Sequence, residues 1–108
     1  MTISAPDREE TKDTYVIAMI GRVHPSEATG SHIVNGVIKY LTSENKEAKW
    51  LRNKVIFKII PMLNPDGVIM GNTRTGVAGK DLNRQYRKNN DIVFPEVISI
   101  IDYVMKLK

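Results

Sequence analysis

Two short apolar runs constrain this chain more than anything else in it. Tyr15-Val16-Ile17-Ala18-Met19-Ile20 is continuous rather than alternating, the pattern of a strand buried on both faces. Val55-Ile56-Phe57-Lys58-Ile59-Ile60 is rich in β-branched residues and reads as a second strand. Between them Ile33, Val34, Val37, Ile38 and Leu41 recur at helical spacing, which predicts a helix from about Ala28 to Leu41. Gly30 and Gly36 lower that helix's own propensity, so packing must hold it. Strand, helix and strand in this order make a crossover unit with parallel strands. In such a sheet ligands bind beyond the carboxyl ends of the strands. The polar loops after Ile20 and Ile60 are therefore expected on one rim.

The remaining segments are read around that unit. Residues 1–14 lack apolar periodicity, which predicts a disordered leader followed by one domain over 15–108. The stretch Ser43–Asn53 predicts a short polar helix that turns the chain, with Trp50 and Leu51 as its apolar contacts. From Asn64 to Asn90 no period emerges, and a loop of that length is usually functional or disordered. Pro95 and Glu96 suit the first turn of a last helix, expected near 95–107, with Val97, Ile98, Ile100, Ile101, Val104 and Leu107 on its apolar side.

Composition limits the chemistry. There is no cysteine, so disulfides and thiolate metal sites are excluded, and any metal must be held by His, Asp or Glu. A net charge of +4 suits an acidic partner but is too small to imply nucleic acid. No apolar run approaches a membrane span, and the polar start Met1–Thr14 lacks the apolar core of a signal peptide. The expectation is a cytoplasmic chain that binds neither nucleic acid nor membrane.

The loop after the first strand reads His24-Pro25-Ser26-Glu27. An imidazole and a carboxylate suit zinc, and the H-x-x-E spacing sets both on one side of a turn into the helix. The competing reading is that Glu27 complements the helix N-terminus while His24 is solvated. His32 falls opposite the apolar stripe and should face solvent. The loop after the second strand reads Asn64-Pro65-Asp66-Gly67, a good β-turn whatever its role. Residues 71–88 carry Arg74, Lys80, Arg84, Arg87 and Lys88 among glycines, either an anion-binding loop or a solvated surface.

In combination these segments are more specific. "HPSE", then "IPMLNPDGV", "GNTR" and "GKDLNRQY", in that order, resemble the carboxypeptidase A-type zinc carboxypeptidases, and most nearly their cytosolic branch. The resemblance implies a partial three-layer α/β/α fold of the phosphorylase/hydrolase-like kind. Its mixed sheet would have strands near 15–20 and 55–62 and helices near 28–42 and 95–107. It implies Zn2+ held by His24 and Glu27, with Asp81 orienting the histidine. Asn83 and Arg84 would grip the substrate's terminal carboxylate. Arg74 would stabilise the oxyanion of the scissile carbonyl, and "NPDG" would be a structural loop beside the site. Ser26 stands where pancreatic-type relatives have an arginine, in keeping with the cytosolic branch.

The implied activity is release of C-terminal residues from protein tails, glutamates in the cytosolic branch, so a glutamate-rich, tubulin-like tail is the expected partner. The family's third zinc ligand and its glutamate base have no counterparts in this sequence. The expectation is therefore an internal fragment of the catalytic domain, with little or no peptidase activity alone. The alternative is a non-catalytic binding module for acidic peptide tails.

Overall fold

The structure, a computed structural model, describes residues 1–8, 14–86 and 94–107. Strand β3 (Val55–Ile60) is the centre of a three-stranded mixed sheet, flanked by β1 (Thr2–Ile3) and β2 (Tyr15–Ile20). Strand β2 runs parallel to β3, with Tyr15 opposite Val55 and Ile20 opposite Ile60. Helix α1 (Ala28–Leu41) and helix α2 (Lys46–Lys54) form the crossover between them, as the apolar pattern requires.

Along β3 burial alternates. Val55, Phe57 and Ile59 are buried and meet Val34 and Leu41 of α1, with Ile3, in one cluster. Met19, Val37, Ile38 and Leu51 pack around it. Each large side chain hidden this way contributes about 1.5–3 kcal/mol. Asn45 caps α2, its side chain accepting from Glu47 N at 2.9 Å. Arg52 donates to the carbonyls of Leu41 and Ser43, which binds α2 to the end of α1 and satisfies backbone groups that α1 leaves open.

Several expectations need correction. Strand β2 is not buried on both faces: Tyr15 is 70% exposed, and Val16 and Ile17 are exposed too. Its apolar content shows what the strand is able to bury, whereas burial depends on layers to either side. Among the described residues, β3 is its one strand partner. The leader is ordered at its start. Thr2–Ile3 form strand β1, antiparallel to β3, with Thr2 opposite Lys58 and Ile3 opposite Phe57. Met1 and Ile59 exchange two further hydrogen bonds, of 3.0 and 2.9 Å. Backbone pairing and one buried isoleucine suffice there, so no periodicity was available to reveal it. Residues 9–13 of the expected leader lie outside the described residues.

On the helices, Leu51 packs inward as expected, but Trp50 is exposed and Ala48 is buried in its place. Ile33 lies at the solvent-facing margin of the α1 stripe. The Asn64–Asn90 stretch is not uniformly irregular. It contains helix α3 (Pro65–Ile69) and a 3-10 turn at Leu82–Arg84. Helix α4 (Pro95–Met105) closes the described chain, and its Phe94 and Val97 pack with Leu82 in a second cluster that Val23, Tyr86 and Ile101 flank.

Candidate functional site

The parallel pairing of β2 and β3 continues past the strand ends and carries both following loops to one rim. Gly21 N donates to Ile60 O at 2.8 Å, Leu63 N to Gly21 O at 3.0 Å, and Asn64 N to Arg22 O at 3.3 Å. A side chain at Gly21 would meet Pro61 O at 2.7 Å and Val34 Cγ2 at 2.8 Å, so only glycine allows this approach. Arg22 then adopts the left-handed region, with φ of 51°, a conformation that costs about 1–3 kcal/mol in a non-glycine residue. Its guanidinium offsets this by bridging Pro25 O at 2.6 Å and Ser31 Oγ at 3.0 Å.

That turn delivers His24, which is 8% exposed. Its Nδ1 lies 2.8 Å from Glu27 Oε1 and its Nε2 lies 3.0 Å from Asp81 Oδ1. Asp81 is the hub of the arrangement. Arg74 Nε donates to its Oδ2 at 2.7 Å, and Asn83 N donates to its Oδ1 at 2.9 Å. Burial works against ionisation of this carboxyl. Hydrogen bonds from Arg74, His24 and the Asn83 backbone outweigh it and hold Asp81 at about 2, below the ordinary 3.8.

Of the residues singled out in the sequence, the structure brings His24, Glu27, Asp81 and Arg74 into one contiguous set. Asn83 joins through its backbone. Arg84 does not join among the described contacts: its guanidinium turns back to Asn83 O at 3.4 Å and stays exposed. Arg87 and Lys88 of the basic stretch lie outside the described residues. His32 is exposed, as its helical position requires. Of the competing reading of the H-x-x-E turn, the solvated His24 is not observed. His24 is buried, and Glu27, at the N-cap position of α1, makes no side-chain capping bond.

Three supporting residues were missed. Asn64 is wholly buried and caps α3, accepting from Gly67 N at 2.9 Å. Asn-Pro-Asp is a legible N-cap signal with proline at the first helical position, though the turn reading obscured it. Gln85, also buried, donates to Asp81 O at 2.9 Å. Arg22 is the third. Nothing in the sequence marks the last two, because Gln85 reaches the carbonyl of Asp81 across a 3-10 turn and the contacts of Arg22 depend on its left-handed backbone. Ser26 fastens the neighbouring loop, its Oγ donating to Thr73 O at 2.7 Å.

The family model for the zinc carboxypeptidases matches residues 1–97. The chain belongs to that family. It is 45% identical over 97 residues to cytosolic carboxypeptidase 2 of Danio rerio, covering 88% of this chain and 14% of that protein. It is 42% identical over 97 residues to cytosolic carboxypeptidase 6 of Caenorhabditis elegans, covering 85% of this chain and 21% of that one. A crystal structure of a metallo-carboxypeptidase from Burkholderia cenocepacia superposes with a TM-score of 0.90 at 32% identity, over 99% of this chain and 29% of that chain. The α/β architecture is thus a metallocarboxypeptidase architecture, and the chain spans only about a seventh to a fifth of the length of these two curated relatives.

The donor chemistry fits zinc in part. His24 and Glu27 offer one imidazole nitrogen and one carboxylate oxygen to a common point, while Asp81 fixes the far side of the imidazole. Ligands around a tetrahedral zinc stand roughly 3.4 Å apart, so the 2.8 Å pair must open slightly. The Glu27 side chain is 61% exposed and free to do so. A catalytic zinc takes three protein ligands. Among the described residues no group of three or more His, Cys, Asp or Glu is placed to hold a metal.

Proposed function

We propose that this chain contributes the first two zinc ligands and the anion-binding arginines of a metallocarboxypeptidase that removes residues from protein C-termini. The observation that supports it is the convergence of Glu27 and Asp81 on the two nitrogens of the buried His24. Zinc, when bound, would supply a Lewis acid for the scissile carbonyl and its attacking water. His24 and Glu27 would hold it. Asp81 would keep the His24 ring oriented so that Nδ1 faces the metal position. Arg74, half exposed, would leave Asp81 to meet negative charge developing on the carbonyl oxygen. Asn83 and Arg84 would receive the terminal carboxylate, a task suited to a forked guanidinium.

The substrate in this reading is an acidic, glutamate-rich tail of the tubulin-like kind. The surplus of positive charge supports it, and the names of the cytosolic relatives favour the cytosol as the place of action. A third ligand and a general base would have to come from outside the described set, so the chain by itself should be inactive. Calorimetry with zinc alone tests the reading. Weak binding that His24→Ala abolishes is expected, along with no release of glutamate from a glutamate-tailed peptide. Zinc binding unaffected by both His24→Ala and Glu27→Gln would overturn it.

A further inference from the structure

Asn64 is the most connected buried polar side chain of this rim, and none of the proposed chemistry uses it. Its Nδ2 donates to Val23 O at 3.2 Å and to Thr75 O at 3.3 Å, while its Oδ1 accepts from Gly67 N at 2.9 Å. Val23 is the residue immediately before His24, and Thr75 is the residue immediately after Arg74. One side-chain amide therefore spans the two loops whose side chains meet at Asp81, from the far side of their backbones.

We infer that Asn64 is a positioning residue that sets His24 and Arg74 at a fixed spacing around Asp81. The inference rests on the metallocarboxypeptidase reading only for its consequence, since the spacing itself is a property of the chain.

The surroundings leave Asn64 little alternative. It is wholly buried, so each of its bonds lost would leave a polar atom without water to replace the partner. Gly67 presses the same junction. A side-chain carbon there would sit 2.5 Å from Pro25 Cγ, 2.7 Å from Asn64 Oδ1 and 2.7 Å from Thr75 O. Pro25 adjoins His24, so the three loops are packed together at the point where the amide bonds them. Thr75 O also accepts from Asn72 Nδ2 at 3.2 Å, a bond within its own loop. Asn72 thus stabilises one loop locally, whereas Asn64 couples two.

Two variants separate positioning from stability. Asn64→Asp keeps the volume and the acceptor for Gly67 N but replaces the amide donor with a carboxylate. Asn64→Ser keeps a capping oxygen and loses the reach to both carbonyls. The readout is the pair of His24 ring nitrogen signals by NMR at neutral pH, on the chain without added metal. Val55→Ala, or Leu41→Ala if a larger loss is needed, serves as a control matched in unfolding midpoint at the end of the sheet away from the rim.

Both Asn64 variants should shift the His24 ring signals, while the matched control and Asn72→Ala leave them in place. Zinc titration of the same variants should show affinity lowered about tenfold, the lower end of what removing a ligand-orienting group costs. If neither folded Asn64 variant moves the ring signals, or if the matched control moves them equally, the inference fails. Should both variants be unfolded, scalar couplings in the native chain from the Asn64 amide to the Val23 and Thr75 carbonyl carbons decide, and their absence sinks it. If zinc binding by the native chain is unaffected by both His24→Ala and Glu27→Gln yet the ring signals shift, this inference stands and the functional reading falls.

Discussion

The sheet face and the rim are held together by different forces. Under the sheet, Ile3, Val34, Leu41, Val55, Phe57 and Ile59 exclude water by packing, and no polar contact is needed to place them. At the rim, His24, Asn64 and Gln85 are just as buried but are placed by individual hydrogen bonds to carbonyls and carboxylates. A packed core tolerates changes that conserve volume. A polar network has little such tolerance, because each partner removed leaves another group unsatisfied. The contrast explains why a chain of this family can keep its sheet while the precision of its site depends on very few atoms.

Removing bulk from the core should have the largest effect. Leu41→Ala is expected to cost about 2–5 kcal/mol in denaturant unfolding. If the two regions are as distinct as described, the His24–Asp81 contact should persist in the fraction that remains folded. Loss of that contact before unfolding would merge the two regions into one.

Gly67→Ala attacks the junction instead. Its new carbon would crowd Pro25, Asn64 and Thr75 at once, which should cost about 1–3 kcal/mol. Unlike Leu41→Ala, it should disturb the amide signals of residues 23–26 and 73–76. A change confined to α3 would show that the loops are less tightly coupled than the contacts suggest.

Arg74→Ala should barely alter stability, by less than about 1 kcal/mol, since half-exposed ion pairs contribute little. On the proposed reading, its effect is a fall in kcat of a metallocarboxypeptidase that carries this segment. A large shift in the unfolding midpoint with unchanged turnover would reverse the assignment and make Arg74 a structural residue.

The pH response of Asp81 sharpens the same contrast. Its folded-state value is depressed to about 2 from an ordinary 3.8. In this range the unfolded chain takes up the proton first. The contribution is therefore complete above about pH 4 and disappears as pH falls through about 2. A carboxyl carbon titration of Asp81 with its midpoint near 4 would mean that the Arg74 and His24 contacts do not hold in solution. The smallest effect belongs to Trp50→Ala, expected within about 0.5 kcal/mol of the parent because the ring is exposed.

Much of this was legible from residue order. The two apolar runs and the Ile33–Leu41 stripe dictated a parallel crossover, and the family resemblance singled out His24, Glu27, Arg74 and Asp81, whose side chains the structure brings into contact. Pro95 marks a helix start by local chemistry alone. Helix α3 escaped because a five-residue helix has no period to detect, only the cap and proline at its start.

What the sequence determined by itself is what hydrophobic spacing and backbone chemistry fix locally, namely which segments become strands or helices and that two polar loops share a rim. Tertiary structure alone decided which apolar face is covered. It left Tyr15 and Trp50 in the open while enclosing Asn64 and Gln85. It also decided which carbonyls those amides reach, through the sharp turn at Arg22 and the close approach at Gly21 and Gly67. Burial and long-range hydrogen bonds are properties of neighbours brought together by the whole chain, and no local pattern records them.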